Sequence, residues 1–279
     1  MSQTPFMLRG ARFGVKFSQT PPLECGLWST LTDIHIKTPM GITAENLAEK
    51  YNISREECDK FALKSQQNWA RAAQEGRFKA EMVPIIFKNK KTGQDEPFEL
   101  DEAVRPKTTM ESLGKLAPVF KKGGTVTAGN ASGVCDGAAA IVLASEDAVT
   151  KNKLKPLARI VGYSVVGCDP KIMGIGPAPA IKMLLERHGL SVADIDVVEV
   201  NEAFAAQFLA VQKEVGLNPD KTNVNGGAIA LGHPIGASGG RIVANLVHEL
   251  KRIDGKYAMG SACIGGGQGI AVLLENVKS

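Results

Sequence analysis

The feature that most constrains the fold is an alternation of short apolar runs and amphipathic helical segments, which begins at residue 136. The spacing of apolar residues predicts strands at 137–145, 157–167, 197–200 and, around a glycine turn, 257–275, and helices at 180–188 and 241–252. The first two strands have no polar face and are expected to be buried. Strands that alternate with helices form a sheet covered by helices. The pattern therefore predicts an α/β layered fold with helices on a mixed sheet.

The first 133 residues have a different sequence pattern, which is polar and predicts mainly helices. Ser54 and Glu57 form a predicted capping box at the start of a helix that runs to about Gly76. A short strand is predicted at 83–87, and the glycine-rich loop KKGGTVTAGNASG follows. The change of pattern places a domain boundary near Gly133.

Composition narrows the class of protein and of ligand. The chain has 44% hydrophobic and 22% charged residues, an ordinary globular balance. Its 33 basic and 29 acidic residues are mixed along the chain, so the net charge of +4 does not indicate nucleic acid but is compatible with an anionic small ligand. The first residues lack a signal-peptide core and no apolar run reaches membrane-span length, which predicts an intracellular protein without a membrane span. Five cysteines without metal-ligand spacing are expected to be reduced thiols: Cys25, Cys58, Cys135, Cys168 and Cys263.

Three polar or glycine-rich segments lie where strands end or helices begin, the positions at which α/β sheets collect ligands. The first is the word Asn-Glu-Ala-Phe at 201–204, after the apolar strand at 197–200. It places an amide and a carboxylate where a strand opens a helix. An alternative is that Asn201 is simply the N-cap of that helix.

The second segment, NVNGGAIALGHPIGASGG at 223–240, surrounds His233 with glycines just before a helix. Glycines allow a close approach of backbone to ligand, and a helix start favours negative charge. A histidine held between Gly232 and Pro234 is placed for acid–base or oxyanion chemistry near neutral pH. The other three histidines occupy positions typical of structural residues.

The third segment, GSACIGGGQG at 260–269, places Cys263 at the tip of a strand between glycines. A thiol at a turn of exposed backbone amides can have a lowered pKa and be reactive. The alternative is a small buried hydrophobic residue.

Together, the words NEAF, GHP and CxG occur in the order and spacing of the thiolase signature, and GTVTAGNASG upstream also matches, so that the whole chain resembles the thiolase family. Within the family it is most similar to the mitochondrial type of 3-oxoacyl-CoA thiolase, with acetoacetyl-CoA thiolases open as an alternative. The resemblance implies a thiolase-like layered fold with a mixed five-stranded sheet. It assigns 1–133 to a mainly helical, CoA-binding loop domain, 134–155 to a remnant of the N-terminal thiolase domain and 156–279 to the C-terminal thiolase domain.

The resemblance also implies roles. His233 activates the nucleophilic thiol and, with a water held by Asn201, forms an oxyanion hole; Cys263 exchanges the proton of the acetyl-CoA methyl carbon; the Gly265 amide joins a second oxyanion hole. Residues matching the CoA and pantetheine path are Met40, Arg105, Ser112, Ser132 and Phe204. Pro39 stands where many members have histidine, which leaves the contacts at that edge open. The resemblance implies coenzyme A as a substrate, with no separate cofactor or metal. It also implies a homodimer or homotetramer that is located in the mitochondrial matrix.

One departure bears on activity: no segment matches N-x-x-C-x-S-G, the motif that carries the acylated cysteine in thiolases. Cys25, Cys135 and Cys168 lie in other contexts. We therefore expect the N-terminal α/β half to be largely missing and the strand at 137–145 to have lost its sheet partners. Two hypotheses follow. The chain is an acetyl-CoA C-acyltransferase by family that is inactive alone, or it is a non-catalytic, CoA-binding or oligomerising thiolase-like chain.

Overall fold

A computed structural model describes residues 1–277. The helices are α1 Gly26–Thr30, α2 Met40–Lys50, α3 Arg55–Gln74, α4 Met110–Gly114, α5 Glu146–Lys151, α6 Pro177–Arg187, α7 Ala205–Val215, α8 Ala228–Leu231 and α9 Ser238–Arg252. The strands are β1 Phe6–Leu8, β2 Leu23–Cys25, β3 Ile85–Lys88, β4 Asp95–Phe98, β5 Ala158–Gly167, β6 Val197–Val200, β7 Tyr257–Ile264 and β8 Gln268–Asn276. Within this described part, no helix has the length and apolar character needed to cross a membrane.

The main sheet has the strand order β5-β8-β7-β6. Strands β6 and β7 are parallel, and the other two pairs are antiparallel, so the predicted mixed sheet is confirmed. The expected count of five strands is wrong for the described residues, because the sheet has four. A fifth strand is reduced to one parallel bridge between Val198 and Thr222. The next residue, Asn223, has φ +50°, a left-handed conformation that ends any extended run.

Helices cover both faces of this sheet. Adjacent side chains of a strand point to opposite faces. Val198 belongs to the larger core with α6 and α7, whereas Val197 packs with Ile242, Leu246 and Leu250 of α9 in a second core. The apolar face predicted for α9 is therefore the one that is buried, and the layered α/β expectation holds.

Helix α3 connects the first part of the chain to the sheet domain. Its capping box is present as predicted, with Ser54 accepting from the Glu57 amide and the Glu57 carboxylate accepting from the Ser54 amide. Cys58 is 1% exposed and packs in the larger core. Further along the helix, the Ser65 hydroxyl donates to Glu202, and the Arg71 guanidinium donates to the carbonyl oxygen of Val224. These hydrogen bonds hold α3 against the segments at 201–204 and 223–240, which the sequence analysis identified as candidate functional segments.

Three local expectations are wrong or incomplete. Residues 137–145 form no strand, and within the described part their amides and carbonyls make no hydrogen bond except at Ser145, whose side chain and carbonyl begin α5. A strand forms only where a neighbouring strand supplies a ladder of hydrogen bonds. Residues 137–145 have no such neighbour, and Val142 is 91% exposed. Strand β5 is present, but it is the edge of the sheet and exposes Tyr163 and Val165. The strand expected at 83–87 is β3, one arm of an exposed hairpin with β4.

Candidate active site

The loop that carries His233 is held in place by its backbone. Helix α8 ends at Leu231, and Gly232 then takes φ +94°. A Cβ there would collide with the sulfur of Cys135, so this position requires glycine for two reasons. The His233 amide donates to the carbonyl oxygen of Gly133 at 2.9 Å, which joins this loop to the glycine-rich loop. Helix α9 begins five residues after the histidine.

The imidazole of His233 has a polar neighbour at each nitrogen. Nδ1 lies 2.6 Å from Oγ of Ser238, and Nε2 lies 3.4 Å from Nδ2 of Asn201. Burial, with a smaller contribution from the positive charge of Arg241, lowers the pKa of His233 from 6.5 to about 4. The imidazole is therefore neutral near pH 7, with one nitrogen free to accept a proton.

Asn201 lies at the point where β6 meets β7. The backbone N–H of Asn201 donates to the carbonyl oxygen of Ser261 at 2.9 Å, and the residue is 1% exposed. The alternative role as a helix N-cap is wrong, because α7 begins at Ala205 with Phe204 as its cap residue. The side-chain Oδ1 of Asn201 is buried and has no hydrogen-bond partner among the described residues. Buried oxygen atoms are rarely left unpaired, so this atom is available to a water or a ligand donor.

Buried polar side chains fix the backbone around Asn201. The side chain of Asn223 exchanges two hydrogen bonds with the main chain of Val200, each at 2.9 Å, and donates to Glu202 at 2.8 Å. Glu202 also accepts from the Ser65 hydroxyl at 2.6 Å and from the Ile229 amide at 3.1 Å. These bonds join α3, the strand end and the His233 loop.

The sequence did not identify Asn223, Ser65 or Ser238 as contributors to the site. The only signal was that Asn223 and Ser238 flank the glycine-rich word around His233. Ser65 lies 137 residues before its partner Glu202, and no spacing rule connects the two.

Cys263 lies near the end of β7, opposite Gly269 of β8. Burial raises the pKa of its thiol to about 12, so the lowered pKa expected from the exposed-turn interpretation is wrong. The physical reason is that burial disfavours the thiolate, to which Cys168 adds a smaller repulsion, and together these outweigh the backbone hydrogen bond that lowers the pKa. A thiol in this state is a proton donor. Gly265 follows in an exposed turn, where Gly266 and Gly267 both have φ +84°.

The parallel pairing of β6 and β7 places Asn201 and Cys263 at the same edge of the sheet, because the carboxyl ends of parallel strands coincide. No hydrogen bond joins Cys263 to His233 or Asn201 among the described residues. The structure thus brings His233 and Asn201 together directly, and Cys263 and Gly265 only to the same edge.

Two of the five residues expected along a CoA path lie against this site. Ser132 donates from both its amide and its hydroxyl to the carbonyl oxygen of Ala203, each at 3.0 Å, and Phe204 forms a bridge with Ala131. The ring of Phe204 also meets Phe120 edge-on, at 6.4 Å between centroids.

The other three lie farther along the first part of the chain. Met40 begins α2, and the next residue, Gly41, packs tightly on the ring of Phe120. The Arg105 amide donates to Gln66 of α3, while Ser112 forms a capping box with Thr109 at the start of α4. No hydrogen bond joins Arg105 or Ser112 to His233 within residues 1–277.

The remaining cysteines are not arranged as nucleophiles. Burial raises the pKa of the thiols of Cys58, Cys135 and Cys168. Cys135 packs against Gly232 and lines a cavity of about 380 Å³ that His233 does not line. Cys25 is exposed at the end of β2. None of the four hydrogen-bonds to His233 in the described structure.

Comparison with known proteins identifies the family. Residues 1–147 match the thiolase N-terminal domain, and residues 154–276 match the thiolase C-terminal domain. The chain is 63% identical over 276 residues to the mitochondrial 3-ketoacyl-CoA thiolase of Mus musculus, covering 99% of this chain and 69% of that protein. It is 50% identical to an acetyl-CoA acetyltransferase of Chromobacterium violaceum, of which it covers 70%.

Solved structures agree. The human mitochondrial 3-ketoacyl-CoA thiolase superposes with a TM-score of 0.92 at 58% identity, covering 99% of this chain and 69% of that one. The same human enzyme in complex with CoA gives a TM-score of 0.90. The chain therefore belongs to the thiolase family of acyltransferases, and the thiolase-like α/β fold expected from the sequence words is confirmed.

Proposed function

We propose that the carboxyl edge of β6 and β7 carries the proton-transfer groups of a 3-oxoacyl-CoA thiolase site. The observation that carries this proposal is the neutral imidazole of His233, held between Ser238 and Asn201 with one nitrogen free as a base. The relatives named as 3-ketoacyl-CoA thiolases support the substrate class. Acetoacetyl-CoA remains an alternative substrate, supported by the acetyl-CoA acetyltransferase relative.

In the proposed thiolysis, an attacking thiol gives its proton to Nε2 of His233 and forms a bond to the 3-oxo carbon. The bond between that carbon and the α carbon then breaks, and its electron pair passes to the thioester as an enolate. Cys263 donates its proton to the α carbon, which releases acetyl-CoA. The protonated thiol that burial favours at Cys263 is the form this step needs.

The enolate and the tetrahedral intermediate both place negative charge on an oxygen atom. The exposed Gly265 amide is proposed to donate to the thioester oxygen. A water on the unpaired Oδ1 of Asn201, together with Nε2–H of the protonated His233, is proposed to stabilise the other oxyanion.

Coenzyme A is proposed as the substrate, without a further cofactor or a metal. The solved CoA complex of the human relative supports binding of CoA by this fold. Ser132 and Phe204 lie against the site and are proposed to contact the pantetheine arm, with Met40, Arg105 and Ser112 farther along the CoA path. A homodimer or homotetramer is proposed from the family resemblance, and a mitochondrial location from the mitochondrial relatives.

We further propose that residues 1–279 do not turn over alone, because none of the described cysteines hydrogen-bonds to His233. The same observation favours the second candidate function, a non-catalytic chain that binds CoA or pairs with a thiolase.

The test is to purify the chain free of host thiolase, supply acetoacetyl-CoA and CoA, and follow the loss of the enolate absorbance. Sustained turnover of about 1 per second or more, abolished by replacing one of Cys25, Cys58, Cys135 or Cys168, would contradict the inactivity and reveal an overlooked nucleophile. Calorimetry with CoA on the folded chain tests CoA binding, which the thiolase site and a CoA-binding non-catalytic chain both require, whereas a chain that only pairs with a thiolase gives no heat.

A further inference from the structure

A serine at the start of α9 makes the shortest polar contact of the catalytic imidazole. Ser238 is the first residue of the helix and is 4% exposed. Its Oγ lies 2.6 Å from Nδ1 of His233 and 3.1 Å from the carbonyl oxygen of Pro234. Because the serine is buried, no bulk water can take over either contact.

The protons of this cluster can be assigned from the hydrogen-bond network. The hydroxyl of Ser238 has a single proton, and two acceptors lie within reach of it: the Pro234 carbonyl oxygen at 3.1 Å and Nδ1 of His233 at 2.6 Å. When that proton goes to the Pro234 carbonyl oxygen, the lone pairs of Oγ face Nδ1, and Nδ1 carries the one proton of the neutral imidazole. On the other side of the ring, an N–H of the Asn201 amide faces Nε2, which is consistent with a lone pair there.

We infer that Ser238 is a positioning residue that holds His233 as the Nδ1–H tautomer, with the lone pair of Nε2 directed toward Asn201 and the reacting thiol. The inference rests on the proposed function, because only a thiol-activating base requires this tautomer. Ser238 also suits the next state of the cycle. When Nε2 accepts a proton, Nδ1 keeps its proton and its partner, so the ring does not have to reorient before it donates to an oxyanion.

The surrounding helix keeps this arrangement rigid. The Ser238 amide also donates to the Pro234 carbonyl oxygen, at 2.9 Å, so the serine is fixed by its backbone as well as its side chain. Arg241, three residues later, forms an ion pair with the buried carboxylate of Glu199. Its positive charge disfavours a second proton on His233 and so preserves the neutral ring in which the choice of tautomer matters.

The test is nuclear magnetic resonance of the whole chain with nitrogen-labelled histidine, near neutral pH. Correlations between ring nitrogens and ring carbon-bound protons distinguish a protonated nitrogen from an unprotonated one. The signals of His233 are assigned by their loss in the variant His233→Gln. We expect Nδ1 to be protonated in the unmodified chain. In Ser238→Ala, the ratio of the two tautomers is expected to shift about tenfold toward Nε2–H, the size of one lost hydrogen bond.

Two further variants keep the test specific. Ser238→Thr retains the hydroxyl and should restore the Nδ1–H form. Ser164→Ala removes another buried hydroxyl, one that donates to α6 at 2.6 Å and not to His233, and should leave the tautomer unchanged. The signals of His35, His188 and His248 report whether each variant is folded.

An Nε2–H imidazole in the unmodified chain would overturn the inference, as would a folded Ser238→Ala variant with an unchanged ratio. The measurement needs no turnover. A failed thiolase assay and a failed tautomer assignment are therefore distinguishable.

Discussion

His233 and Cys263 occupy two regions of the same sheet edge that are built in opposite ways. His233 lies in a loop before α9, and a polar side-chain atom lies beside each nitrogen of its ring. Cys263 lies at a strand end among glycines, with no hydrogen bond to either His233 or Asn201. Yet burial is the largest cause of the pKa shift in both, lowering that of the imidazole and raising that of the thiol.

The difference teaches how one physical effect can supply both partners of proton transfer. Burial disfavours the charged form of any group. The neutral form of histidine is a base, whereas the neutral form of cysteine is an acid. One edge of the sheet therefore holds a proton acceptor and a proton donor, with burial as the main cause in both and the positive charge of Arg241 as a smaller cause for His233. The two regions differ in how the reactive side chain is oriented. Hydrogen-bonding neighbours orient the imidazole of His233, whereas the backbone of β7 positions the thiol of Cys263.

The largest expected effect comes from removing either group in a working enzyme. We join the chain to the amino-terminal half of a thiolase, and replace His233 or Cys263 by alanine. Thiolysis should fall by about two to four decades in each case, the usual contribution of a lost acid or base. Initial rates with acetoacetyl-CoA and CoA provide the measurement. Activity within about threefold of the parent, less than any acid–base contribution, would remove that residue from the mechanism.

The second prediction concerns the reactivity of the thiols, for which Cys25 is the internal control. Because the thiolate is the reactive form, a half-buried thiol with its pKa raised to about 12 should be alkylated slowly near neutral pH. We expect Cys263 to react about two to three decades more slowly than the exposed Cys25. Peptide mass spectrometry after timed labelling gives both rates. Faster labelling of Cys263 would restore the low-pKa interpretation.

The third prediction is a dependence of folding stability on pH. The pKa of His233 is about 4 in the folded chain and 6.5 ordinarily, so the unfolded chain binds more protons between these values. The free energy of unfolding should therefore be fully retained above about pH 6.5 and should decrease as the pH falls toward 4, by up to about 3 kcal/mol.

The control is His233→Gln, which cannot titrate. The difference between the two pH profiles of denaturant unfolding isolates the histidine from the carboxylates that titrate in the same range. Parallel profiles would mean that the imidazole is not desolvated in the folded chain.

The smallest effect is expected from loosening the polar contacts that orient the His233 side of the edge. Asn223→Ala removes the hydrogen bonds to Val200 and Glu202 and should lower the free energy of unfolding by about 1–3 kcal/mol, because their buried partners are left unpaired. Asn152→Ala is a control, since its side chain donates to one carbonyl at an exposed position. The control should cost less than about 0.5 kcal/mol. Equal losses in chemical denaturation would show that the buried network adds no stability.

Much of the architecture could be predicted from local sequence. The capping box at Ser54 and Glu57, the apolar face of α9 and the passage from β6 into α7 all depend on residues within a few positions of one another. The order of the words around Asn201, His233 and Cys263 was sufficient to assign the family. The polar partners of the His233 ring could not be predicted, because Ser238 is relevant only when the first turn of α9 places it beside Nδ1.

The sequence by itself determined the alternation of strands and helices, the caps and the chemical groups available for catalysis, because these follow from local backbone preference and residue type. Pairing in the tertiary structure decided which apolar run became a strand: 197–200 has a parallel partner in β7, while 137–145 has none and stays irregular and exposed. The tertiary structure also decided the protonation of His233 and Cys263. Burial and orientation depend on residues far apart in the chain, and no local pattern encodes them.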